Sequence, residues 1–195
     1  MANANSPRGL VPYALMSGAP YNGSFNTYYV PVGNSTALYL GDPVTVLDNS
    51  ADANGVPAVG VATASTGYIT GAFIGVVNNG GQLTIPLLQS TPIYLPASTA
   101  AYVAVTDDPG LLYMIQEDGA MVAGAASRNA GLVAGSGSTV TGLSGWQLHS
   151  SSLATTNTLQ MRIMRALQES DNAIGTNAKW LCRINLHTVT YTTGT

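Results

Sequence analysis

Charge is what this sequence most lacks. Only 8% of its 195 residues are Asp, Glu, Lys or Arg, against ~25% in an ordinary soluble domain. Charged side chains keep free proteins apart, and they are depleted where a surface is covered by a partner. Cysteine is nearly absent as well. Cys182 stands alone, which excludes a disulfide framework and a cysteine-built zinc site. A thiol nucleophile assisted by His149 or His187 gives way to a simpler reading, because Cys182 lies in an alternating apolar row and suits a small core hydrophobe. No apolar run reaches membrane-spanning length, and the opening residues lack the basic start and apolar stretch of a secretory leader. The expectation is a soluble product made in the cytoplasm.

Basic residues are missing from a long stretch. Between Arg8 and Arg128 there is no Lys or Arg, while Asp42, Asp48, Asp52, Asp107, Asp108, Glu117 and Asp118 all fall there. Beyond it, Arg128, Arg162, Arg165, Lys179 and Arg183 outnumber Glu169 and Asp171. A net charge of −3 with dispersed cations makes a poor phosphate binder. Pairing of the basic half with an acidic neighbouring subunit is the more economical use of the split.

What is present is a β pattern. In KWLCRINLH the side chains of Trp180, Cys182, Ile184 and Leu186 fall on one face, and Lys179, Arg183, Asn185 and His187 on the other, with Leu181 the exception. Residues 188–193 continue it. Strands are expected over 38–47 with a bend at Gly41-Asp42-Pro43, over 56–64, 68–77, 91–95 and 159–167. Asp48 to Gly55 and Asn78 to Gly81 read as turns. Gly60, Gly71 and Gly75 suggest bulges or close backbone approach. Strands at 101–106 and 111–117 flank Asp107-Asp108-Pro109-Gly110 and read as a hairpin. Residues 119–145 read as a loop or a loose strand pair. The fold expected is all-β, an antiparallel sandwich or barrel, jelly-roll-like. Residues 1–24 hold Pro7, Pro12 and Pro20 among apolar side chains, which suggests an extended N-terminal arm lying on a neighbour, with residues 25–195 as a single β domain.

Patterns for chemistry fail in turn. There is no phosphate-binding glycine loop, no HExxH and no CxxC. Asp48, Ser50, Asp52 and Asn54 resemble the start of a calcium loop, but Ala53 stands where its glycine belongs and no acid follows at the twelfth place. Asp107, Asp108, Glu117 and Asp118 could flank a glycosidic bond, yet turn chemistry accounts for both pairs. Ser144 lies between Gly142 and Gly145 without forming GxSxG. No catalytic, cofactor-binding or metal-ligating residue is assigned, and the chain is not expected to be an enzyme.

Several segments carry a resemblance. MANANSPRGLVPY, then SGAPYNGSFNTYYVP and ALYLGDPV, then YVAVTDDPGLLYMIQED, STVTGLSGWQLHSSS and SDNAIGTNAKWLCRINLH follow one another in order. Together they resemble the head decoration (capsid cement) proteins of tailed bacteriophages, departing mainly at 119–128. The resemblance implies a virion structural protein on the outer surface of the capsid. It would bind at junctions between major capsid protein subunits and hold the head against internal DNA pressure. It implies synthesis in the host cytoplasm and no catalytic residues. The expected partners are the major capsid protein and the chain itself as a homo-oligomer, trimer favoured over dimer, with no nucleic acid or membrane. The alternative is a carbohydrate-binding β domain on the virion surface or tail, since ten Tyr, two Trp and many Asn suit sugar stacking and hydrogen bonding.

Overall fold

Strand formation follows the β-branched and aromatic runs, and the breaks fall at Gly, Pro, Asp and Asn. A computed structural model describes residues 3–77 and 93–190. Twelve strands lie among them: β1 (Val11–Leu15), β2 (Asn26–Val30), β3 (Pro43–Ala51), β4 (Pro57–Val61), β5 (Gly71–Val77), β6 (Ala101–Thr106), β7 (Leu111–Gln116), β8 (Asn129–Ala130), β9 (Leu132–Val133), β10 (Gln147–Leu148), β11 (Met161–Ala166) and β12 (Lys179–Ile184). The helical content described is three short 3₁₀ turns. The all-β class holds.

The strands divide between two bodies. β2-β4-β3-β5-β6 close into a barrel, in which β2 and β4 are parallel and the other pairs antiparallel. An open antiparallel sheet runs β1-β7-β12-β11-β8, with β9 and β10 paired beside it. No two-sheet jelly-roll order is present among the described residues; a barrel is inserted between the first two strands of a sheet. Two apolar clusters are buried, and the larger one takes in Ala62, Ile69 and Ala72 from the barrel side as well as the sheet. Val30, Leu38, Val44, Phe73, Val103 and Val105 fill the barrel. Leu10, Tyr113, Ile163, Trp180, Cys182 and Ile184 lead the other cluster, under the sheet.

Three expectations are corrected by the pairing. The strands on either side of Asp107–Gly110 exist as expected but do not form a hairpin. β6 already has β2 and β5 as neighbours, and β7 has β1 and β12, so the turn hands the chain from barrel to sheet. Tyr113 secures that passage by donating its hydroxyl to the Thr106 carbonyl at 2.6 Å. His187, expected on the outer face, is 1% exposed, because the chain turns inward after β12 and His187 bridges to Ile69. Leu186, expected in the apolar row, is only half-buried.

The N-terminal segment also differs from a free-standing arm. Leu10 is fully buried, and Val11–Leu15 is the sheet's edge strand against β7. Pro12 is tolerated there because an edge strand leaves one row of backbone groups unpaired by the ladder. Ahead of β1, the Asn3 amide donates to the carbonyls of Ala173 and Thr176, and Gln116 donates to the Ala4 carbonyl at 2.8 Å. The segment crosses the barrel where two glycines nearly touch. Gly41 has φ +95°, and a Cβ there would stand 2.0 Å from the Arg8 carbonyl oxygen, so only glycine fits. The expected turn at 78–81, residues 91–92 of the expected strand at 91–95 and the end of 188–193 lie outside the described residues. Of 93–95 only Leu95 pairs, in an isolated bridge to Leu38, and Thr188–Thr190 is a 3₁₀ turn rather than a continued strand.

Candidate interaction face

The outward face of the sheet is set by its register. Cross-strand partners share a face, and four of the pairs are unusual together. Arg162 of β11 stands directly opposite Arg183 of β12, Arg165 stands opposite Leu181, and Leu181 and Arg183 pair with Met114 and Leu112 of β7. Val11 of β1 completes the row beside Met114. Like charges placed directly opposite each other cost stability, and their usual remedy is an interleaved carboxylate. None is present. The ion pairs among the described residues both belong to Lys179, which holds Glu169 at 2.9 Å and Asp171 at 3.2 Å. Arg183 contacts only the thioether of Met16, at 3.8 Å, and Met16 is 49% exposed. The Arg162 and Arg165 guanidiniums have no hydrogen-bond or ion-pair partner among the described residues.

Apolar surface accompanies the charge. Val11, Leu112 and Met114 are half-buried on this face, while Leu181 is fully buried although it points outward. Long neighbouring side chains whose stems lie along apolar surface account for that. Arginine and methionine among aliphatics is the composition of a protein–protein contact, and Glu169 and Asp171, held by Lys179, border the face at one end. A cleft of about 340 Å³ continues it past Met114 and Lys179, walled by the strap of Asn3, Ser6 and Arg8.

Elsewhere the acidic residues other than the exposed Asp48 are committed to the fold. Asp52 accepts the backbone N–H of Asn54 and Val56 at 2.9 and 2.8 Å, and the Tyr102 hydroxyl, which holds its carboxyl below the usual range. Its oxygens are therefore occupied by the β3–β4 hairpin. No group of three or more His, Cys, Asp or Glu suited to a metal occurs among the described residues. Asp108 accepts the Gly110 N–H at 2.7 Å within its turn, whereas Asp118, expected to serve its own turn, accepts the N–H and hydroxyl of the distant Ser150 at 2.8 and 2.7 Å. Asp107 takes the Asn26 amide and the Tyr28 hydroxyl. They border a cleft of about 500 Å³ lined also by Phe25 and Val189, without a free acid and base paired across it.

Two buried carboxylates escape the sequence reading. Glu117 is sealed from solvent, accepts the Met121 N–H at 2.6 Å and has its pKa raised by burial. Asp42 is 3% exposed, and burial pushes it up to about 6 although the Tyr39 N–H and the Ser144 hydroxyl bond to it. Asp42 immediately precedes β3, and Glu117 immediately follows β7. Cys182 is fully buried, and burial pushes its thiol up, away from the reactive thiolate. His149 instead meets the Ser151 hydroxyl at 2.7 Å on an exposed turn, and its buried Nδ1 has no partner to orient it. Four of the described tyrosines pair with one another: Tyr39 stacks on Tyr94 at 5.0 Å, and Tyr29 tilts against Tyr102 at 5.7 Å.

Comparison of the chain with family models, with curated proteins and with solved structures finds no match.

Proposed function

We propose that this chain is a structural protein of a tailed-phage virion, seated on the outside of the head at junctions between major capsid subunits. The observation that carries the reading is the arginine face: aligned guanidiniums without carboxylates between them, set among aliphatic side chains, suit a surface that is covered in its working state. Two further features support it. Low charge lets many copies crowd one shell without strong mutual repulsion. The outer edge of β1 is closed by residues 19–21, with Leu15 N–H bonded to the Ala19 carbonyl at 2.8 Å and Tyr21 N–H to the Tyr13 carbonyl at 3.2 Å, which removes an open edge from a crowded surface.

The mechanism is additive interface. A head under outward pressure fails where subunits part, and a protein bound across the junction must lose its contacts before that happens. A standard contact buries ~1,600 Å² in total. A homo-oligomer, with trimer favoured, engages several capsid subunits at once and gains from effective concentration. No catalytic residue, nucleic acid or membrane takes part.

Cosedimentation tests this reading. The purified protein is added to heads of the phage that encodes it, stripped of accessory proteins. Saturable attachment and heads that withstand more heat or chelation are expected. Failure to attach, or attachment to tails alone, would overturn it. A glycan array addresses the carbohydrate alternative, which has less behind it because the hydroxyls of Tyr28, Tyr102 and Tyr113 are bonded within the chain.

A further inference from the structure

Beyond β12 the chain returns to the barrel side and is fastened there around a histidine. Ile69 donates its N–H to the Leu186 carbonyl at 2.8 Å, and Thr188 donates its own to the Ile69 carbonyl at 3.2 Å. The Thr188 hydroxyl donates to that of Thr70 at 3.2 Å, and the Thr70 oxygen also accepts the Val46 N–H of β3 at 2.9 Å. Between these bonds His187 is turned inward and is 1% exposed. Its Nδ1 accepts the Val189 N–H at 3.1 Å, which puts the proton of the neutral ring on Nε2. That Nε2 is buried and has no hydrogen-bond partner among the described residues. Thr190 closes the turn, giving its N–H and its hydroxyl to the His187 carbonyl at 3.2 and 3.0 Å. We infer that residues 186–190 are a latch between sheet and barrel, which opens in acid when His187 takes up a second proton.

The closed latch requires a neutral ring. A proton placed on Nδ1 turns the acceptor of the Val189 N–H into a second donor, so that bond is lost. The new charge would also lie in a buried place, which disfavours it. Burial accordingly lowers the His187 pKa. Asp107 and Asp108, on the turn after β6, are the charged groups acting on the ring among the described residues. Their carboxylates and the Asp107 backbone pull the other way, by less than burial does. Leu186, Thr188, Val189 and Thr190 on its own segment, and Ile69 and Thr70 across from it, carry no charge. Opening returns the ring to water and its pKa toward the ordinary 6.5, so acid favours the open state. Asp42 and Glu117 act in the opposite direction, because burial raises both. Acid opening of the latch is therefore local rather than part of a general loosening. Val189 is 64% exposed and lines the cleft of about 500 Å³ with Leu15, Phe25 and Leu111. An open latch withdraws that wall and bares apolar surface. The inference concerns the chain by itself and stands apart from the capsid reading.

Amide hydrogen exchange of the full chain tests it, read by nuclear magnetic resonance at pH 7.5 and pH 5 and divided by each amide's intrinsic rate. Protection at Ile69, Thr188 and Val189 should fall at least about fivefold in acid. The amides of β7 and β12 should show no such fall. His187→Gln cannot take up the proton, so its latch should be equally protected at both pH values. Should that variant fold poorly by circular dichroism, the wild-type ring carries the test. Its nitrogen shifts should report a proton on Nε2 alone at pH 7.5 and a titration below 6.5, in step with the loss of Val189 protection. A wild-type latch as protected at pH 5 as at pH 7.5 overturns the inference. So does a His187 that becomes charged while Val189 stays protected, or a His187→Gln latch that opens in acid as the wild type does.

Discussion

Asp42 is the side chain with the clearest consequence for the molecule as a whole. The folded chain holds its proton up to about pH 6, whereas an unfolded Asp releases it near 3.8. Between those values the folded state binds more protons than the unfolded one, so stability falls as pH rises through the window. Glu117 acts in the same direction. His187 acts oppositely, since burial lowers its pKa and its contribution is lost as pH falls through the unfolded value near 6.5. Asp42→Asn should therefore melt higher than wild type at pH 8, by on the order of 1–3 kcal/mol, with the gap vanishing by pH 4. Comparing the two proteins at each pH cancels the His187 effect. A gap that grows toward acid would contradict the assignment. None of this was legible in the sequence, where Asp42 looks like one more turn residue between Gly41 and Pro43. The Arg162–Arg183 pair was equally hidden. Alternation places Arg183 on a polar face, but only register sets Arg162 opposite it.

At the scale of the element, the alternating row in β12 was readable and locates the core. Trp180, Cys182 and Ile184 are all under 5% exposed, beneath a strand with neighbours on both sides. Trp180→Ala should cost ~3–5 kcal/mol, and Arg183→Ala should melt close to wild type. Thermal melts of the two side by side decide which face is inside. Gly71 illustrates a different constraint: a Cβ there would meet the Thr106 carbonyl oxygen at 2.0 Å. Gly71→Ala should force β5 away from β6 and lower stability by more than ~1 kcal/mol. The pairing of strands was less readable than their existence. Pro109 and Gly110 mark a turn whichever sheet the chain enters next, so local sequence cannot distinguish a hairpin from a handover. The same holds at the N-terminus, where Pro12 excludes a central strand but not an edge. Deleting residues 1–18 removes β1 and the fully buried Leu10. The truncated chain should melt lower and aggregate through the uncovered edge of β7. If it melted like wild type, β1 would be an accessory to the sheet rather than part of it.

The whole molecule is two β bodies joined through a shared apolar cluster and a set of hydrogen bonds. Gln160, fully buried, donates its amide to the carbonyls of Thr63 and Thr66 at 2.8 Å each and accepts the Leu132 N–H at 3.1 Å. Ile69 N–H bonds to the Leu186 carbonyl at 2.8 Å. Gln160→Ala leaves three backbone groups without that amide, and the buried ones among them cost ~1–3 kcal/mol each. Separate melting of barrel and sheet in a calorimeter is the expected signature, against a single transition in wild type. Composition pointed to a covered protein, and the segments from MANANSPRGLVPY to KWLCRINLH pointed to a phage head. The proposal rests on the arginine face. A density map of phage heads assembled with this chain tests the proposal most directly. The account predicts copies of a barrel joined to an open sheet on the outside of the shell, over junctions between capsid subunits. A shell bare at those junctions, with the chain found on the tail or absent from the particle, would contradict it.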